Sequence, residues 1–312
     1  MDGLLIVDKP TGPTSHDVVA RVRRLLGESR VGHTGTLDPA ASGVLPLVLG
    51  RATRLAQFLS QSDKVYEATI TLGVSTDTCD ALGQPIGAPY ERAFPSMDAV
   101  DRALDAFRGS FSQQPPAFSA KKVDGRRSYK NAREARKALT LPGPLGPSER
   151  SESRGPAPVT VTAHSIDIMS VEGRYVTLSV HCSAGFYVRS LAHDLGARLG
   201  TGGHLSALRR TRSGQSDLGR AIALDELERD VSLASRVVVP LGEMLPELPS
   251  LVLTPEGARR AIHGQDLGPR DALRSSGESA PLVRLLDAGG DLLAIAEAGR
   301  SPGLLHPFVV LK

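Results

Sequence analysis

The chain has 312 residues, a formal net charge of +3, 40% apolar residues, only 4% aromatics, 32 Gly and 22 Pro. This composition supplies a buried core with many turns and excludes a disordered polymer. No run approaches the roughly 20 apolar residues of a membrane span, and Met1-Asp2-Gly3 opens no basic-then-apolar leader, so a cytoplasmic protein is expected.

Leu4-Leu5-Ile6-Val7 predicts a short buried strand ending at Lys9-Pro10, and Thr14 or Ser15 predicts the cap of a helix to about Leu26. Arg21, Arg23 and Arg24 form a small basic cluster within that helix. The run from Gly32 to Leu47, G-H-T-G-T-L-D-P-A-A-S-G-V-L-P-L, holds one acid, Asp38, among Gly32, Gly35, Pro39 and Gly43. These four residues restrict or permit unusual backbone angles, so the chain must bend there and hold Asp38 in a defined direction. A helix is expected over about Ala52 to Leu59. A half-buried strand follows over Lys64 to Gly73, with Tyr66, Ala68, Ile70 and Leu72 on one face. Met97, Val100, Leu104 and Phe107 recur at helical spacing before Gly109.

Between Lys121 and Lys137 stand eight basic residues, among them Lys121, Lys122, Arg126, Arg127, Lys130 and Arg133, opposed only by Asp124 and Glu134. With Arg209, Arg210 and Arg212 they suggest a phosphate-binding surface. Leu141 to Pro158 is rich in Pro, Gly and Ser and reads as a mobile surface loop beside that basic arm. Val176, Leu178, Val180 and Cys182 alternate in a strand that leads into a helix carrying Val188, Leu191, Leu195 and Leu199, with Arg189 beside the stripe. Cys79 and Cys182 are too few for a zinc site of their own and too far apart to suggest a disulfide frame. Beyond Pro249, four short apolar runs with Gly289-Gly290 between two of them suggest a small β-barrel.

The ordered run around Asp38 resembles the G-H-T-G-x-L-D-P loop of the tRNA pseudouridine-55 synthases, the TruB family. Four further segments extend the likeness across most of residues 3 to 214. Lys64-Val65-Tyr66 is similar to the family's K-x-Y strand. Gln114 to Lys122, continuing through Gly125, Tyr129 and Arg133, is similar to its RNA-gripping arm. Cys182 to Leu191 resembles C-S-x-G-x-Y-[IV]-R-[ST]-L, and Gly203 to Gly214 resembles G-x-H-x-x-x-L-R-R-T-R-x-G.

The resemblance implies a mixed α/β (α+β) fold. Residues 1–245 would form a largely antiparallel sheet flanked by helices, with the arm at about 110–158, and residues 250–312 a PUA-like RNA-binding barrel. It implies isomerisation of the T-loop uridine, U55, to pseudouridine, with Asp38, Arg189 and Tyr66 as the catalytic set. Asp38 is the ionised carboxylate, Arg189 its charge partner and Tyr66 the surface on which the flipped base stacks. His33, Lys64, Tyr187 and Leu208 would shape the substrate pocket, and Lys121, Lys122, Arg126, Arg127, Lys130, Arg133, Arg209 and Arg210 would hold RNA. No cofactor, no metal and no obligatory protein partner are implied; the chain is expected to act on the T-stem-loop of tRNA as a monomer. Two rivals stand beside this reading: a guide-RNA-dependent pseudouridine synthase, and a non-catalytic RNA-binding or RNA-folding protein. A small-molecule hydrolase is disfavoured, because no second carboxylate motif, Ser-His pair or metal cluster stands out.

Overall fold

The computed structural model describes residues 1–116, 122–123, 126–127, 157–276 and 280–311. Two compact units emerge, Met1–Ser62 with Ser213–Lys312, and Asp63–Arg212. The principal strands in chain order are β1 (Gly3–Lys9), β2 (Val31–His33), β3 (Ala41–Leu49), β4 (Lys64–Leu72), β5 (Gly109–Gln113), β6 (Val159–Glu172), β7 (Tyr175–Cys182), β8 (Gly203–Ser213), β9 (Ile222–Ala223), β10 (Ser250–Leu253), β11 (Ala272–Ser276), β12 (Leu282–Leu286), β13 (Leu292–Ala298) and β14 (Leu305–Val310). The principal helices are α1 (Ser15–Leu26), α2 (Met97–Leu104), α3 (Val188–Arg198) and α4 (Pro255–Ile262). The fold is mixed α/β, as expected. No helix among the described residues is long and apolar enough to cross a membrane.

In the first unit, β3 pairs antiparallel with β1 on one side and with β2 on the other, placing Ile6 opposite Pro46 and His33 opposite Leu47. β9 joins the free edge of β1 in parallel. Thr14 begins α1 through a capping box with Asp17, and Gly27 ends it at φ 62°, a left-handed turn that favours glycine. Val18, Val19 and Val22 are the buried stripe of that helix. The helix expected over Ala52 to Leu59 is instead a 3-10 stretch, Gly50–Leu55, running into a short α-helix, Ala56–Ser60. Asp2 holds its start, accepting from Arg51 N at 2.6 Å and Arg51 Nε at 2.8 Å.

The C-terminal strands form an open sheet in the order β11-β10-β12-β13-β14. The expected barrel does not close, and the reason is that other elements cover the sheet. Helix α4, capped by Thr254 and opened by Pro255, packs on it, and Ala261 joins Leu253, Leu267, Leu285, Ala294 and Ala296 in a small core. Leu292, Ile295 and Leu311 enter a second core with Leu4, Ile6, Val44, Val48, Ala52 and Leu55.

In the second unit the order is β8-β4-β7-β6-β5. β4 and β7 pair along their whole length, from Lys64 opposite Cys182 to Thr71 opposite Tyr175. Alternation drives this strand as predicted: Tyr66, Ala68, Ile70 and Leu72 are all buried. Helix α2, capped by Ser96, lies on β6, and α3 lies on β4. Their buried faces are Val100, Ala103 and Leu104, and Val188, Leu191, Ala192 and Leu195.

Candidate active site

Asp38 is half-buried in the segment joining β2 to β3, and the backbone on both sides of it is tied down. The Ser15 hydroxyl, at the first position of α1, donates to the Leu37 carbonyl at 2.9 Å and accepts from the Leu37 N–H at 2.8 Å. Both residues are buried, so this reciprocal clasp is shielded from competing water. After Asp38, Gly12 N donates to Pro39 O at 2.8 Å and Ala41 N donates to Asp38 O at 3.0 Å. Among the glycines expected to shape the loop, Gly43 alone has a positive φ, +102°. Gly32 is not held to glycine in this way, since a Cβ there would make only an ordinary 3.6 Å contact with Val48. His33 closes β2, half-buried.

Lys9 is a residue the motifs did not single out. It is fully buried, and its ammonium donates to Pro10 O at 2.8 Å and Pro13 O at 2.9 Å. Those bonds shape the turn whose Gly12 holds Pro39. Alternation does not mark Lys9: Leu4 to Val7 are buried on both faces of β1, and this lysine, 0% exposed, closes the same buried strand.

In the second unit, Lys64 and Tyr66 project to the same side of β4, and both are buried. Burial first, then the charge of Arg210, pushes the Lys64 ammonium down to about 8, against smaller opposing effects of Cys182 and Asp63. Burial pushes the Cys182 thiol up to about 12, leaving it an inert core group. Arg210 departs from the expected role. Grouped by sequence with surface phosphate ligands, it is 1% exposed, because at its position on β8 the side chain points inward. Leu208 and Arg209 are half-buried on the same strand.

Arg189 stands in the first turn of α3, a place where the helix dipole disfavours a cation. It is held by acceptors: its Nη1 donates to Thr78 O at 3.3 Å and lies 3.5 Å from Asp80 Oδ2. Asp80 is itself fixed, since Oδ1 accepts from Thr78 Oγ1 at 2.6 Å and from Leu82 N at 3.0 Å. Asp80 was not expected from sequence, where T-D-T-C-D-A-L-G reads as an ordinary turn. Tyr187 is gripped through its backbone by the buried amide of Gln113: Nε2 donates to Tyr187 O at 3.0 Å and Oε1 accepts from Tyr187 N at 2.8 Å. Ser190 Oγ donates to Gln114 O at 2.7 Å, so the end of β5 locks the start of α3.

Of the basic arm, Lys122–Val123 pairs antiparallel with Arg126–Arg127. Lys121, Lys130 and Arg133, and the 141–158 stretch up to residue 156, lie outside the described residues.

Residues 23–143 match the family model of the TruB family pseudouridylate synthase N-terminal domain, and residues 189–246 match the tRNA pseudouridylate synthase B C-terminal domain. Across the whole chain the protein is 43% identical to tRNA pseudouridine synthase B of Solibacter usitatus, covering 100% of both chains. The chain belongs to the TruB family. A second TruB-family relative, tRNA pseudouridine synthase B of Thermobifida fusca, is 44% identical over 99% of this chain and 98% of its own. Among solved structures, an H/ACA RNP bound to a substrate RNA containing 2'-deoxyuridine superposes with a TM-score of 0.71 at 26% identity, covering 99% of this chain and 85% of that one. A Cbf5-Nop10-Gar1 complex gives 0.69 at 28% identity, covering 95% and 78%. Asp38, Lys64, Tyr66 and Asp80 fall in the first matched TruB segment, and Arg189, Leu208, Arg209 and Arg210 in the second.

Proposed function

We propose that this chain pseudouridylates tRNA, isomerising the T-loop uridine U55 with Asp38 as its catalytic carboxylate. The observation that carries the reading is the clasp on Asp38, which fixes Leu37 and Pro39 through Ser15 and Gly12 and so aims one acid without a second acid beside it in the loop. Isomerisation breaks the C1′–N1 bond and makes a C1′–C5 bond, a rearrangement with no net redox change. The uridine must leave its stack, at a cost of a few kcal/mol, and Tyr66 supplies the aromatic face that receives it. Asp38 acts ionised, and a guanidinium favours that form while orienting it. Arg189 has five N–H donors, enough to serve Asp80 and a second carboxylate together. His33, Lys64, Tyr187 and Leu208 shape the pocket. Lys121, Lys122, Arg126, Arg127, Lys130 and Arg133, with Arg209 and a PUA-like module over residues 250–312, grip the RNA.

The test is incubation with unmodified tRNA followed by mapping of pseudouridine, with wild type and Asp38→Asn. The expected result is modification at U55 by wild type, and loss of turnover with retained RNA binding in the variant. Undiminished product from Asp38→Asn overturns the assignment. The likeness to proteins of H/ACA RNPs favours a guide-dependent second reading. The purified chain is expected to modify a bare T-stem-loop transcript without guide RNA or protein partner, which that second reading forbids.

A further inference from the structure

We propose that Asp63, His164 and His181 form a binding site for a zinc-class divalent transition-metal ion, a staple across three neighbouring strands of the second unit and distinct from the pseudouridylation residues. The three are far apart in sequence, and the sheet gathers them. Asp63 immediately precedes β4, His181 is the penultimate residue of β7, and His164 lies near the start of β6, the next strand over. A β-bulge decides the outcome. β6 and β7 pair Ala163 with Cys182 and then Ser165 with His181, so His164 is the extra residue and is re-aimed beside His181.

The geometry suits one ion. His164 Nε2 lies 3.1 Å and His181 Nε2 3.8 Å from the same oxygen, Asp63 Oδ2, and the three ligand atoms all lie within 4.8 Å of one another. Tetrahedral coordination with bonds of about 2.0–2.1 Å requires ligand-to-ligand edges of roughly 3.4 Å. The imidazole rings sit 4.7 Å apart at 47°, so their nitrogens converge without stacking face to face. Two imidazoles and one carboxylate are the donors that zinc and its neighbours take, whereas magnesium and calcium demand oxygen ligands. The side chains are 48%, 40% and 32% exposed for Asp63, His164 and His181, which gives an ion access and leaves its remaining positions to water.

Arg212 bears on the site from β8. Its Nη2 lies 3.4 Å from His181 Nε2, and because a guanidinium only donates, that nitrogen presents its lone pair outward. The metal would take the same lone pair, and the exposed guanidinium is free to swing into solvent as it does so. The ordinary alternative is a hydrogen-bonded His-Asp cluster that binds no ion.

Calorimetric titration of the metal-stripped, full-length protein with ZnCl2 at pH 7.5 separates the two. One equivalent is expected to bind saturably, with affinity at least tenfold weaker in His164→Ala and in His181→Ala. His306→Ala is the control: it removes another histidine paired to an acid, Asp266 at 2.8 Å, and is expected to leave the titration unchanged. Thermal unfolding is expected to shift upward with ZnCl2 and not with MgCl2 in wild type, and to lose that shift in both cluster variants. Absence of saturable binding to wild type, or undiminished, wild-type affinity in His164→Ala or in His181→Ala, overturns the site.

Discussion

Burial and the Arg210 guanidinium hold the Lys64 ammonium near 8 instead of 10.5, so between those pH values the unfolded chain keeps a proton that the folded chain has released. Stability linked to this group therefore rises as pH climbs from 8 to 10.5, and the full penalty of the buried charge is present below 8. Lys64→Met removes it: the variant is expected to gain up to about 3 kcal/mol over wild type at pH 7, with the gap closing toward pH 10. Urea unfolding of both proteins at several pH values reads this directly, and a gap independent of pH would mean that Lys64 does not titrate in that window. Asp80 makes the complementary case. Its carboxylate faces Arg189 in a largely buried pair, with side chains 14% and 9% exposed. Asp80→Asn keeps the shape and leaves the guanidinium without that charge, at an expected loss of about 3 kcal/mol in stability. Under the proposed mechanism it also lowers kcat more than it raises KM for a T-stem-loop, whereas a purely structural Asp80 would leave kcat of the folded fraction unchanged.

At the scale of single elements, the Asp38 loop depends on α1 for its position, because one hydroxyl at the start of that helix meets both polar groups of Leu37. Ser15→Ala orphans a buried donor and a buried acceptor at once, which costs about 2 kcal/mol or more in unfolding free energy. Turnover on tRNA is expected to fall with it; an unfolding midpoint equal to wild type would show that the clasp contributes nothing. What could be read from sequence follows the same logic of element by element regularity. β4 and β7 were legible because apolar residues recur at every second position, from Tyr66 to Leu72 and from Val176 to Cys182. β3 was not, because Gly43 to Leu49 is buried throughout and shows no alternation, and Pro46 argued against a strand. β6 was hidden by its two bulges, between Ala163 and Ser165 and between Ile168 and Ser170, each of which resets the parity of the side chains. The motif around Asp38 was plain as an ordered string, yet its supports lie outside that string, Ser15 at a helix start, Lys9 at a strand end and Gly12 in a turn, and the Asp80 that faces Arg189 lies in another turn.

For the molecule as a whole, the C-terminal segment tests how far a boundary near residue 250 describes the protein. β13 contributes Ala294 and Ala296 to the core under α4, but Leu292 and Ile295 to a core built with Ile6, Val44 and Val48. The backbone closes up tightly where these parts meet: a Cβ on Gly242 would stand 2.1 Å from the Gly290 carbonyl. Arg284 adds a tether, donating to the carbonyls of Leu248 at 3.0 Å and Gly242 at 3.1 Å. If residues 250–312 were energetically independent, a cavity cut into their side of the shared core would be felt there alone. Ile295→Ala removes three carbons from a fully buried side chain, an expected cost of about 2–5 kcal/mol. Because the cavity is lined in part by β1 and β3, hydrogen exchange is expected to speed up at Leu4 to Val7 and at Val44 to Val48 as well as within β13. Exchange that accelerates only beyond residue 250 would mean that the C-terminal sheet unfolds on its own and that the shared core is a docking contact between two separately stable parts.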